Sequence, residues 1–148
     1  MIEINRSALL PYTARQLFDL VSDISAYPDY IPGCVGAKLL GEWELGVEAE
    51  LTVSALGVKQ SFATRNTVID GQEIRMELLN GPLQHLVGSW VFRPLSDSAC
   101  KIELSLVFET AGSLKKIAAK QLVERTSTAV VDALVKRAND SLGGSREH

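Results

Sequence analysis

A chain of 148 residues is of single-domain size and can bury a core without disulfides or a structural metal. Its formal charge is −3, its apolar share is 46%, and no apolar run approaches the roughly 18 residues of a membrane span, so a soluble protein is expected. Cys34 and Cys100 lie far apart, His85 and His148 are the only histidines, and no Cys-x-x-Cys or His-x-x-x-His spacing occurs, so reduced thiols and no metal centre are expected.

The start, Met1-Ile2-Glu3-Ile4-Asn5-Arg6, has no apolar block followed by a small-residue cleavage site, so export is not expected and a cytoplasmic location is. Ile2 and Ile4 alternate with Glu3 and Asn5, the period of a half-buried strand. Thr13-Ala14-Arg15-Gln16 then reads as a capping box with Tyr12 and Leu17 as its hydrophobic staple, and Leu17, Phe18, Val21 and Ile24 recur at helical spacing. Pro28 biases Tyr27 out of the helix, so the helical segment is expected to end there.

From Val35 to Glu109 the pattern is mostly strand. Turn signals at Gly41, Gly46, Gly57, Asp70-Gly71, Gly81-Pro82 and Pro94 to Ser98 leave room for six strands. Val47, Ala49, Leu51, Val53 and Ala55 alternate with polar residues, as do Ile74, Met76 and Leu78, and Ile102, Leu104, Leu106 and Phe108. Each strand therefore has one wet face, as in an antiparallel sheet covered on the other. Among the charged strand residues, Arg65 is the one whose phase is ambiguous.

After Gly112 the helical period returns from an N-cap at Ser113 to a stop at Gly143-Gly144, and residues 144–148 are expected to be a flexible tail. The predicted inner face is Ala119, Leu122, Val123, Thr126, Ala129, Val130, Ala133 and Leu134, with Lys120, Glu124, Thr128, Asp132 and Lys136 outside. Half of the inner face is small, which leaves room for a cavity against the sheet. The alternative is that Trp90, Phe92 and Phe108 fill that space.

Several motifs in order make the chain similar to a known family. Asp23-Ile24-Ser25-Ala26-Tyr27-Pro28-Asp29-Tyr30-Ile31-Pro32-Gly33-Cys34 resembles a signature of the coenzyme Q-binding START-domain proteins, a family that includes ribosome-association toxins of the RatA type. Asn80-Gly81-Pro82-Leu83-Gln84-His85-Leu86, then Gly88, Trp90 and Phe92, resembles the family's Gly-Pro-Phe segment and following strand, and Phe108-Glu109 and Arg137-Ala138 also match. The resemblance implies an α+β helix-grip fold, in which a seven-stranded antiparallel sheet wraps around a long C-terminal helix and two short helices follow strand one. It implies binding of a hydrophobic small molecule, a ubiquinone-like polyprenyl lipid, in support of respiration. Leu83 replaces the family's phenylalanine, and Asp132-Ala133-Leu134 lacks the one usual before Arg-Ala.

The candidate ligand-binding residues are Tyr27, Tyr30, Leu51, Met76, Leu83, Trp90, Phe92, Leu122, Val123, Ala129 and Ala133. Tyr27 and Tyr30 would stack at the pocket mouth and offer a hydroxyl to a carbonyl. No catalytic residues are expected. Cys34 and His85 lack a third member and an oxyanion hole, although cyclases of polyketide synthesis share the implied fold. The RatA resemblance implies a second partner, the large ribosomal subunit, whose joining the protein would block. Lys115, Lys116, Lys120 and Arg125 would supply a contact for it, or for anionic lipid at a membrane surface in a transient contact; the alternative is an ordinary solvated helix face. DNA is not an expected partner.

Overall fold

The computed structural model describes residues 1–55, 57–81, 83, 85–110 and 113–143. The expected tail at 144–148 lies outside them, as do the side chains of Lys115, Lys116 and Ala119. Seven strands form one antiparallel sheet: β1 (Ile2–Leu10), β2 (Cys34–Trp43), β3 (Gly46–Ala55), β4 (Val58–Ile69), β5 (Glu73–Asn80), β6 (His85–Ser96) and β7 (Ala99–Glu109). Their spatial order is β1-β7-β6-β5-β4-β3-β2, so the first and second strands are the two edges. The helices are α1 (Ala14–Ser22), α2 (Tyr27–Tyr30) and α3 (Ser113–Ala138), with a 3-10 turn at Ile24–Ala26 and a π-helical turn at Asn139–Gly143. This is the helix-grip architecture implied by the motifs.

Local sequence accounts for most of these elements. The capping box at Thr13 is formed in both directions: Gln16 N–H donates to Thr13 Oγ1 at 3.1 Å, and Thr13 N–H donates to Gln16 Oε1 at 2.9 Å. Pro28 acts differently from expectation. The first helix stops at Asp23, and Pro28 sits in the first turn of α2 with Tyr27 at φ −53°, ψ −43°. A proline in a first turn sacrifices no intrahelical bond, so it opens a helix here instead of closing one. Gly41 is likewise no turn. It lies inside β2 beside a bulge at Leu39/Gly41, and the hairpin turns at Glu44-Leu45.

The register aligns residues in rows across the helix-facing side of the sheet. One row runs Val68–Ile74–Trp90–Leu104, and the next runs Val47–Asn66–Met76–Gly88–Leu106–Ile4. At Gly88 the row is tight: a Cβ there would stand 2.5 Å from Leu106 Cδ2 and 3.1 Å from Met76 Cε, so both side chains would have to shift.

The core lies under one half of this surface. Leu17, Phe18 and Val21 of α1 meet Ile74, Trp90, Phe92, Cys100, Ile102 and Leu104 of the sheet and Val131, Leu134 and Ala138 of α3. A smaller cluster joins Ile2, Ile4 and Phe108, with Leu83, Leu86 and Val123 packed against it. The helix packs on β1, β7 and α1, and Arg6 Nε donates to Thr128 Oγ1 at 3.0 Å where α3 crosses β1.

This placement rotates the sealed face of α3 away from the predicted one. Among its described side chains the buried ones are Ser127, Val131, Leu134 and Ala138, and of these only Leu134 is on the predicted stripe. Leu122, Val123, Thr126, Ala129, Val130 and Ala133 are half-buried, and Glu124, predicted outside, is half-buried too. The helix rests on the β1–β7 side instead of centrally, so part of its apolar face borders open space.

Candidate functional site

The β2–β5 half of the helix-facing surface forms a bowl. On its floor Ala37, Leu51, Val53, Phe62, Thr64, Met76 and Leu78 are all half-buried, and Leu39, in the same facing, is 55% exposed. Aliphatic side chains that point toward the helices yet stay accessible mark an apolar surface that the described side chains leave partly open. At one end the bowl is bounded by the 3-10 turn and α2, which pack on β2 next to Ile31 and Cys34.

Nine of the eleven predicted site residues divide among three places. Leu51 and Met76 lie on the bowl floor. Leu122, Val123, Ala129 and Ala133 lie half-buried on α3, with Leu83 and Val123 packed against the Ile2–Phe108 cluster. Trp90 and Phe92 are inside the core at 5% and 2% exposure, Phe92 edge-on to Phe18 with ring centres 5.6 Å apart.

Tyr27 and Tyr30 stand edge to face, 6.2 Å apart. The Tyr27 hydroxyl is committed, because it donates to the backbone carbonyl of Val21, and burial pushes its pKa up. Tyr30 has its ring 4.9 Å from the Arg137 guanidinium, and its hydroxyl is sealed with no partner among the described residues. Burial raises the Tyr30 pKa to about 12, against a smaller downward pull from Arg137.

Asn66 and Thr64 were missed. Both face the bowl from β4, where Asn66 is 6% exposed and accepts a 2.9 Å hydrogen bond at Oδ1 from Thr64 Oγ1. The available signal was the alternation of Phe62, Thr64, Asn66 and Val68 on one strand face, in which two polar residues interrupt an apolar set.

The residues considered for catalysis do not meet. His85 faces outward from β6, its side chain 74% exposed and 3.9 Å from Glu109, whereas Cys34 faces inward from β2 and is buried. Burial pushes the Cys34 thiol up, away from the thiolate form a nucleophile needs. Both cysteines are free. Arg65 resolves outward, pairing with Glu48 at 2.7 Å and lying over the Trp43 ring at 5.0 Å, so it puts no charge in the bowl.

Among the described residues no three His, Cys, Asp or Glu side chains are placed to hold a metal ion, and no helix is long and apolar enough to cross a membrane. A groove of about 460 Å³ on the outward face runs over Arg65, Arg75, Glu77, Ser89 and Ser105. Val87 and Val107 also line it, and its arginines are held by Glu48 and Glu73.

The polyketide cyclase / dehydrase and lipid transport family matches residues 10–135. The ribosome association toxin RatA of Pseudomonas aeruginosa is 45% identical over 140 residues, covering 95% of this chain and 97% of its own. The Escherichia coli K12 protein of the same name is 38% identical over 95% of this chain and 89% of its own. The coenzyme Q-binding protein COQ10 homolog B of Xenopus laevis is 27% identical over 96% of this chain but only 60% of its own. Among solved structures, an aromatase/cyclase from Streptomyces superposes with a TM-score of 0.84 at 18% identity, over 97% of this chain and 98% of its own, which shows the fold alone. An 18 kDa protein of Caulobacter crescentus superposes at 0.79 with 30% identity over 97% of this chain and all of its own. With the matched region, the near-full-length RatA relatives and the helix-grip sheet in agreement, the chain belongs to the START-like polyketide cyclase / dehydrase and lipid transport family, among the relatives of RatA.

Proposed function

We propose that this protein associates with the ribosome, through ribosomal RNA of the large subunit, and hinders subunit joining. The observation that carries this reading is 45% identity to a ribosome association toxin over nearly the whole of both chains. It reverses the order of the motif-based expectations, which placed quinone binding first.

Charge distribution supports it. Six of the fifteen Lys and Arg residues but only two of the eighteen Asp and Glu residues lie in α3, so the helix carries +4 and the rest of the chain −7. On the outward face of the sheet Lys38, Arg65, Arg75 and Arg93 each meet a carboxylate, Glu50, Glu48, Glu73 and Glu103. On α3, Lys120 meets Glu124 at 3.8 Å, but the exposed Arg125 and Lys136 form no ion pair among the described residues and are therefore better placed to meet phosphates. Co-sedimentation with purified large subunits tests the reading: binding is expected to weaken steeply with salt and to be lost when Arg125 and Lys136 become glutamate. Equal sedimentation of the variant at every salt concentration would overturn it.

The bowl supports a second, non-enzymatic role, the holding of an apolar molecule with one polar group. Its half-buried aliphatic floor is the supporting observation. Mass spectrometry of organic extracts of the protein from its native host should recover a lipid. Empty protein at stoichiometric sensitivity would remove this role and leave the ribosomal one standing.

A further inference from the structure

The Asn66 side chain has one end occupied and one end free. Thr64 Oγ1 donates to its Oδ1, and no hydrogen bond among the described residues uses its Nδ2. Among those residues only the Tyr30 and Thr110 hydroxyls are both sealed and unpartnered, so the Asn66 amide nitrogen keeps some accessibility although its residue is 6% exposed. Its position in the Val47–Asn66–Met76–Gly88–Leu106–Ile4 row fixes the direction, because Ile4 packs in the cluster that Val123 of α3 joins. The surroundings are apolar: Val47 and Met76 flank Asn66 in its row, and Ala49 and Leu78 flank Thr64 in the next.

Of the other polar groups near this face, Gln60 lies three rows from Asn66 at the start of β4, beside Val53, and three more are engaged or turned away. The Tyr27 hydroxyl is bound to Val21, the Tyr30 hydroxyl is sealed, and Arg65 points outward. A primary amide nitrogen can only donate, and an uncharged donor in an apolar wall suits a neutral acceptor better than a carboxylate, whose desolvation it cannot offset.

We propose that Asn66, held in orientation by Thr64, is the polar anchor of the bowl and donates a hydrogen bond to the carbonyl oxygen of a neutral, otherwise apolar ligand. This rests on the bowl being a binding site. The geometry sets the ligand class as a neutral molecule with an apolar body on the Leu51–Met76 floor and one acceptor oxygen at Asn66.

The experiment is equilibrium dialysis of the full chain with menadione and with 2,3-dimethylnaphthalene, which has the same ring shape and no carbonyl. Asn66→Leu should weaken menadione about tenfold, the worth of one hydrogen bond of ordinary strength, and leave the hydrocarbon unchanged or tighter. Thr64→Val, which keeps the shape and frees the amide to turn, should give a smaller loss of the same selective kind. Melting temperatures taken alongside show that both variants are folded. Parallel changes for the two ligands, or none, would overturn the assignment of Asn66 while leaving the bowl in place. Failure of the wild-type protein to take up either compound would overturn the bowl itself and this proposal with it.

Discussion

The two halves of the sheet have the same alternation and different fates. Under β1, β6 and β7, the inward residues Cys100, Ile102, Phe108 and Phe92 are sealed by α1 and α3. Under β2 to β5, Leu51, Phe62, Met76 and Leu78 point the same way and remain half-exposed, because among the described residues α3 packs mainly along β1. The difference teaches that the stability of this fold and its capacity to bind are separated in space, so a residue's burial says which of the two it serves.

Truncation gives the largest expected contrast. Phe108→Ala in the sealed half should cost about 3–5 kcal/mol, transfer and cavity terms together. Leu51→Ala in the bowl should cost about 1–2 kcal/mol, because the space it vacates is already open and no cavity term is added. Urea denaturation of both variants checks this, and equal costs would mean that the bowl is packed as tightly as the core.

Filling sharpens the same contrast from the other side. Ala138 is fully buried and Ala129 half-buried on the same helix. Ala138→Phe should destabilise by about 1–3 kcal/mol or more, and Ala129→Phe by less than about 1 kcal/mol. The second variant should also lose any lipid recovered with the wild type. A large drop in melting temperature for Ala129→Phe would show that α3 has no free space beside it.

The smallest effects separate the two tyrosines at the end of the bowl. Tyr27→Phe removes a hydrogen bond to Val21 and should cost about 1 kcal/mol, whereas Tyr30→Phe removes an unpartnered hydroxyl and should be neutral or slightly stabilising. The alkaline branch carries a sign. The Tyr30 pKa is raised in the folded protein from 10.0 to about 12, so its contribution is fully present below pH 10 and is lost as pH rises through about 12. Alkaline unfolding followed by tyrosinate absorbance should begin at higher pH in Tyr30→Phe. An unchanged midpoint would mean that the Tyr30 phenol titrates freely.

By itself the sequence determined the order of elements, the capping box at Thr13 and the wet and dry faces of the strands. Each is set by residues within a few positions of one another, where the helical and strand periods and a cap's hydrogen bonds are decided. The motifs running from Asp23 to Cys34 and from Asn80 to Phe92 carried the family as well. Only the tertiary structure decided which part of a dry face is covered. The alternation of Leu51 is the same as that of Ile102, and nothing local distinguishes them until α3 settles against β1. The same settling turned Ser127 and Val131 inward. The pairing of β4 with β3 and β5 brought Thr64 and Asn66 to the floor of an apolar bowl, because strand neighbours far apart in sequence become adjacent only once the sheet has formed.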